Sequence, residues 1–284
     1  MTKGNVLWIG GWSMSCGVFD KLRQQLQDYG HLTVQFEQAR TSGEFVRHAR
    51  MMADRVQDKR TDTRLEPMTG GDQIRIALPH PGGAHASPID ASQRKPLVAV
   101  GWSLGGLVAQ RLAAEGRADA LVLLGSTARF VRCAVTGHPG WPERHVRQMA
   151  SALEKPEQRD SVLKQFNRLL FTEGERGAGL NRSWPQESGW PREALASGIH
   201  YLLEEDTRPL LPGLSCPVLI VHGSADMICP WGAAEYMHAA IPDSTCLRVD
   251  QAGHVPFLGR EREIADAIRS VSNACTNKVN PAAF

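Results

Sequence analysis

Residues 97–106 read Leu97-Val98-Ala99-Val100-Gly101-Trp102-Ser103-Leu104-Gly105-Gly106, an apolar run that ends in a Gly-x-Ser-x-Gly turn and opens into a small-residue helix. Strand, sharp turn and helix in that order set one serine on the turn. The backbone there is strained, and strand and helix can pass each other only if the residues two before and two after the serine are small. Gly101 and Gly105 meet that demand, and Gly106 extends the clearance. The same residues could form a plain glycine-rich turn whose serine caps the helix. A strand before and a helix after are the context that favours a nucleophile.

Working outward, Val6–Ile9 is a short buried-strand candidate that runs into Gly10-Gly11-Trp12-Ser13. A helix is expected over Phe19–Leu26, a strand over His31–Phe36 and a helix over Gly43–Val56, so the pattern is β, α, β, α and calls for a parallel sheet. Beyond the serine, a helix is expected over Leu104–Ala114 and a strand over Ala120–Leu124. Cys216–Val221 resumes the strands, followed by a helix over Trp231–Ala240, a strand over Thr245–Val249 and a closing helix over Glu261–Val271, with fraying after about Asn273. Residues 57–95 turn to charges, Pro and Gly and read as an insertion, with one short strand at Gln73–Leu78 that would cover an open edge at His31–Phe36. Residues 129–212, helical in places and carrying Trp141, Trp184 and Trp190, read as an inserted helical cap. The expected organisation is an α/β core of residues 1–128 and 213–284, and a cap of residues 129–212.

Hydrophobic residues make up 42% of the 284 and charged residues 22%, which is ordinary globular usage. A net charge of +2 gives no whole-molecule field for nucleic acid. The six cysteines form no Cys-x-x-Cys pair and read as reduced thiols, and His80 and His85 have no acidic or cysteine partner at a metal-binding spacing. Neither a metal nor an organic cofactor is expected. No signal-peptide h-region and no membrane-spanning run stand out, so the cytoplasm is the expected compartment.

A serine hydroxyl needs an imidazole to take its proton and a carboxylate to fix that imidazole's tautomer. Asp226 follows a strand in a glycine-rich turn, and His254 follows the last strand after Ala252-Gly253, so both join Ser103 at the carboxyl edge of the sheet. Asp226 alone could be a turn former and His254 a helix-entry residue; the order Ser, acid, His at three strand ends is what groups them. Of the rivals, His222 sits in a strand end and His238 in a helix, His200 lies in the cap, and Asp243 and Asp250 lack the strand-end turn context of Asp226. The oxyanion of an acyl-transfer intermediate needs two N–H donors, which by position are those of Leu104 and Trp12. Trp102, beside the nucleophile, is expected to line the acyl pocket.

These motifs resemble the α/β-hydrolase superfamily, and within it the pimeloyl-ACP methyl ester carboxylesterases of biotin synthesis. The carriers are Gly11-Trp12, the stretch Gly101–Gly106, Gly223–Asp226 and His254-Val255-Pro256-Phe257. The resemblance implies a mostly parallel sheet with helices on both faces, and hydrolysis of a methyl ester on an acyl chain held by acyl carrier protein. Ser103, Asp226 and His254 would be the triad, and Phe166 would pack on the acyl chain. An acidic carrier would be met by cap cations, among them Arg159, Lys164 and Arg168, which could equally be the solvated faces of cap helices. A general small-ester esterase, a thioesterase, a carbon–carbon bond hydrolase and a non-catalytic binding protein remain the alternatives.

Overall fold

The computed structural model describes residues 2–58, 95–185 and 189–279. Six strands, β1 (Asn5–Ile9), β2 (Gly30–Val34), β3 (Leu97–Trp102), β4 (Ala120–Leu124), β5 (Val218–Gly223) and β6 (Ser244–Val249), form one sheet in the order β2-β1-β3-β4-β5-β6. Every neighbouring pair is parallel. β3, β4 and β5 are buried along their whole length. That is why they read as unbroken apolar runs rather than alternating ones: each is covered on both faces.

The connections are α1 (Asp20–Gln24), α2 (Ser42–Asp58), α3 (Leu104–Ala114), α8 (Trp231–Ala240) and α9 (Glu261–Val279). Between β4 and β5 the chain leaves the sheet for α4 (Glu143–Leu153), α5 (Arg159–Leu169), α6 (Glu173–Gly177) and α7 (Arg192–Glu204). This excursion is fastened to the core at several points. The Trp12 indole donates to Leu195 O at 2.9 Å, Arg111 of α3 meets the buried Glu205 at 2.7 Å, and Trp190 packs against Phe36 and Phe45. Arg208, with Arg129, holds the Asp206 carboxyl far below the usual carboxylate range.

Strand order reverses between β1 and β3: the chain steps outward to β2 and then crosses back over β1. In a parallel sheet the crevice at such a reversal opens beyond the carboxyl ends of the two strands. The loop after β1 and the Ser103 turn after β3 both border it.

Several element boundaries move from expectation. The strand expected to end at Phe36 ends at Val34, and Phe36 instead turns in to pack on Phe45. The helix expected over Phe19–Leu26 is a 3-10 turn at Cys16–Phe19 followed by α1. The closing helix runs to Val279 rather than Val271, through the residues expected to fray, with Cys275 buried beneath it. β2 is an edge among the described strands; the covering strand expected at Gln73–Leu78, with His80 and His85, lies outside the described residues.

The elbow glycines carry a prediction. A Cβ on Gly105 would fall 2.1 Å from Ile9 O and 2.6 Å from Gly10 O, both backbone atoms that cannot swing aside. Gly105→Ala should therefore cost about 3 kcal/mol or more, seen as a fall of on the order of 10 °C in the thermal midpoint. A midpoint within 2 °C of the parent would contradict that packing.

Candidate functional site

Ser103 stands between the last residue of β3 and the first of α3, with φ +56° and ψ −122°. A non-glycine residue in that region is strained and persists only where its surroundings fix it. Here Ser103 N–H donates to Leu124 O at 3.1 Å, and Ser126 Oγ donates to Ser103 O at 2.9 Å, so the end of β4 clamps the turn on both sides.

The structure brings Ser103, His254 and Asp226 into one hydrogen-bonded line. Ser103 Oγ and His254 Nε2 are 2.8 Å apart, as are His254 Nδ1 and Asp226 Oδ2. An ionised carboxylate can only accept, so Nδ1 carries the hydrogen and Nε2 is left as an acceptor aimed at the serine hydroxyl. Asp226 is held in turn: its Oδ1 accepts the N–H groups of Ile228 at 2.8 Å and Cys229 at 2.9 Å. All three side chains are buried, Ser103 and Asp226 at 5% exposure and His254 at 0%. Burial keeps water from competing for the line and strengthens each charge-assisted bond in it.

Leu104 opens α3, so its N–H is among those that a helix leaves unpaired at its start. The loop carrying Trp12 lies directly against the serine: a Cβ built on Gly11 would be 3.2 Å from Ser103 Cβ. Trp102 is 1% exposed and serves a purpose that its position in sequence did not reveal. Its indole N–H donates to His254 O at 2.8 Å, and its ring packs on Trp184 and Phe257. Phe166 stands edge-on to Trp12 with centroids 4.9 Å apart and lines a groove of about 420 Å³ between α4 and α5. The groove is apolar at Trp141, Met149 and Leu169 and amide-bearing at Gln148 and Gln165. Lys164 and Arg168 are exposed on α5, whereas Arg159 is engaged by Asp160 and Trp190 O. Of the set-aside residues, Asp250 is an exposed partner of Arg248, and His238 binds Ser244 Oγ. Among the described residues no group of three or more His, Cys, Asp or Glu could hold a metal ion. No described helix is long and apolar enough to cross a membrane.

His222 belongs to the site although sequence order gave no reason to include it. Its Nε2–H donates to Cys229 O at 2.7 Å and lies 3.4 Å from Asp226 Oδ2, while Nδ1 has no partner among the described residues. Burial depresses its pKa against the weaker pull of Asp226, so the ring is neutral.

A family profile described as the alpha/beta hydrolase fold matches residues 86–261. The pimeloyl-(acyl-carrier protein) methyl ester esterase of Chromobacterium violaceum is 31% identical over 182 residues, 61% of this chain and 68% of that protein. Its namesake in Aromatoleum aromaticum is 30% identical over 61% of this chain and 73% of its own length. The solved esterase of Exiguobacterium antarcticum superposes with a TM-score of 0.69 at 17% identity, covering 96% of this chain and 92% of that one, a likeness of fold.

The neutral His222 has a consequence for stability. Unfolded, its imidazole titrates near 6.5; folded, its pKa is lower, so unfolding takes up a proton as pH falls below that value and stability drops with it. His31 and His138 are depressed in the same direction by burial. Urea unfolding at pH 7.5 and 5.5 should show that loss, and His222→Gln should reduce the slope by up to about 1.4 kcal/mol per pH unit. An unchanged slope would mean that His222 takes up protons equally in the folded and unfolded states, with no depression by burial.

Proposed function

Because the chain belongs to the alpha/beta hydrolase fold family, we propose that it is a serine carboxylesterase that cleaves the methyl ester of pimeloyl-acyl carrier protein. The observation that carries this reading is the pair of 2.8 Å contacts from Ser103 Oγ through His254 to Asp226 on a strained turn. Ser103 Oγ attacks the ester carbonyl while His254 Nε2 takes its proton, and Asp226 holds the tautomer and stabilises the imidazolium. The N–H groups of Trp12 and Leu104 receive the oxyanion. Collapse expels methanol, which leaves with the proton from Nε2, and gives an acyl-Ser103 ester. Water deprotonated by the same nitrogen then hydrolyses that ester to the free carboxylate and restores the serine.

The methyl-ester substrate on a carrier protein is supported by the names of the relatives at 30–31% identity. It is also supported by the groove lined by Phe166, whose apolar residues suit an acyl chain and whose glutamines suit the amides of a carrier's arm. In this reading residues 129–212 are a cap on a core of residues 1–128 and 213–284. Lys164 and Arg168, one helical turn apart beside the groove, are the cations free to meet an acidic carrier, with Arg159 restricted by its existing bonds. A cytoplasmic location accords with six free thiols.

Ser103→Ala should lower ester turnover by on the order of 10⁴-fold or more while leaving the fold intact, and Asp226→Asn should do nearly as much. Near-normal turnover in Ser103→Ala, or failure of a fluorophosphonate probe to label the parent, would dispose of the serine mechanism. The carrier is tested separately. Lys164→Glu with Arg168→Glu should raise KM for the carrier-linked methyl ester at least tenfold, and weaken its dependence on salt, yet spare methyl butyrate. Equal effects on both substrates, or on neither, would leave a general small-ester esterase.

A further inference from the structure

The base of the proposed mechanism does not sit on a strand or helix. His254 lies five residues beyond the end of β6, in an irregular loop where Gln251 is held at φ +58°. Such a loop has no ladder of its own, so its backbone groups must find partners elsewhere or be left buried and unpaired. Three of them find partners in the cap segment running from the end of α5 into α6. His254 N–H donates to Leu170 O at 2.8 Å, Gly253 N–H to Glu175 Oε2 at 3.0 Å, and Gln251 O accepts from Thr172 Oγ1 at 3.3 Å.

Glu175 is the unusual member. It completes a capping box with Thr172, taking the Thr172 N–H at 2.8 Å while Thr172 Oγ1 accepts the Glu175 N–H at 3.2 Å. A capping-box glutamate is ordinarily at the surface with only that duty. This one is 7% exposed, and the same oxygen that closes the box also holds the residue next to His254. The approach is close enough to demand glycine: a Cβ on Gly253 would be 2.6 Å from Leu170 O and 3.0 Å from Glu175 Oε2.

We infer that Glu175 is a positioning residue for His254, its carboxylate joining the cap to the loop that carries the base. The inference rests on the reading of His254 as the base for Ser103. Shortening or removing the carboxylate frees Gly253 N–H, lets the loop relax from the cap, and moves Nε2 off the serine, where a displacement of about 1 Å can cost on the order of 10²-fold in rate. It follows that the base is aligned only while the cap segment 170–175 is seated. A cap that swings away breaks the bonds to both Gly253 and His254.

The test uses the full chain, p-nitrophenyl acetate hydrolysis and the rate of Ser103 labelling by a fluorophosphonate. Labelling of the parent and its loss in Ser103→Ala first establish the serine mechanism independently. Glu175→Ala should then lower kcat and the labelling rate roughly 10- to 100-fold with KM within about twofold. Glu175→Asp keeps the charge but is one methylene short, and should behave like the alanine variant even if the latter folds poorly. Glu175→Gln keeps an acceptor oxygen at full reach and should recover to within about threefold of the parent. A cap of α6 alone would change the thermal midpoint and leave kcat of the folded protein untouched. Parent-like kcat and labelling in the Ala and Asp variants would overturn the inference while the serine mechanism stands, and a Gln variant as slow as Ala would overturn its hydrogen-bond basis.

Discussion

The left-handed backbone at Ser103 is the constraint on which the rest of the molecule depends. An L-residue does not stay at φ +56° unless the alternatives are closed, and here they are closed by β3 behind it, α3 ahead of it and the end of β4 across it. That closure requires α3 to come almost into contact with the end of β1, which only glycine at 105 permits. The same close approach brings the loop after β1, with Trp12, against the serine. Ser103 and the loop of Trp12 are therefore set by one packing event, and the order of the sheet fixes where it occurs, at the reversal between β1 and β3.

The carboxylate of the hydrogen-bonded line is fixed by a different device. Asp226 uses Oδ1 to close its own turn on Ile228 and Cys229 and Oδ2 to receive His254, so neither oxygen is free to rotate toward another partner. His222 approaches Oδ2 from the strand that precedes the turn, neutral and already committed to Cys229 O. A charged imidazole there would compete with His254 for the carboxylate. Burial of His222 within β5 is thus part of why the carboxylate serves one histidine rather than two.

What could be read in the sequence follows from the range of the interactions involved. The elbow was legible because its glycines, its serine and the flanking apolar run are contiguous, and the physical demand on them is local. Asp226 and His254 were legible because each follows a recognisable strand, so their common edge could be inferred before any contact was known. The boundaries that shifted involve tertiary packing: Phe36 leaves its strand to meet Phe45, and Cys275 of the last helix is buried beyond the point where fraying is expected. Trp102, expected from sequence to line the acyl pocket, also donates its indole N–H to His254 O, a partner 152 positions away that no local spacing announces. Glu175 was missed for the same reason. Thr172-x-x-Glu175 is visible as a capping box, but nothing in that spacing announces that its oxygen also reaches Gly253, 78 positions on.

The three groups of the line thus come from unequal foundations. Ser103 and Asp226 stand at the ends of β3 and β5, strands held on both sides by parallel neighbours, and their positions are as stiff as the sheet. His254 stands on a loop whose order is borrowed: Gln251 N–H is held by Ser224 Oγ from the core, while Gly253 and His254 N–H are held by the cap. In the proposed function, the stretch that lines the groove, α4 and α5, runs directly into the stretch that holds Gly253 and His254. Removing residues 170–175 would leave the buried amides of Gly253 and His254 without acceptors and the imidazole without a fixed direction. In the proposed function, substrate binding and proton transfer are joined through the hydrogen bonds that Leu170 O and the Glu175 carboxylate make to the loop of His254.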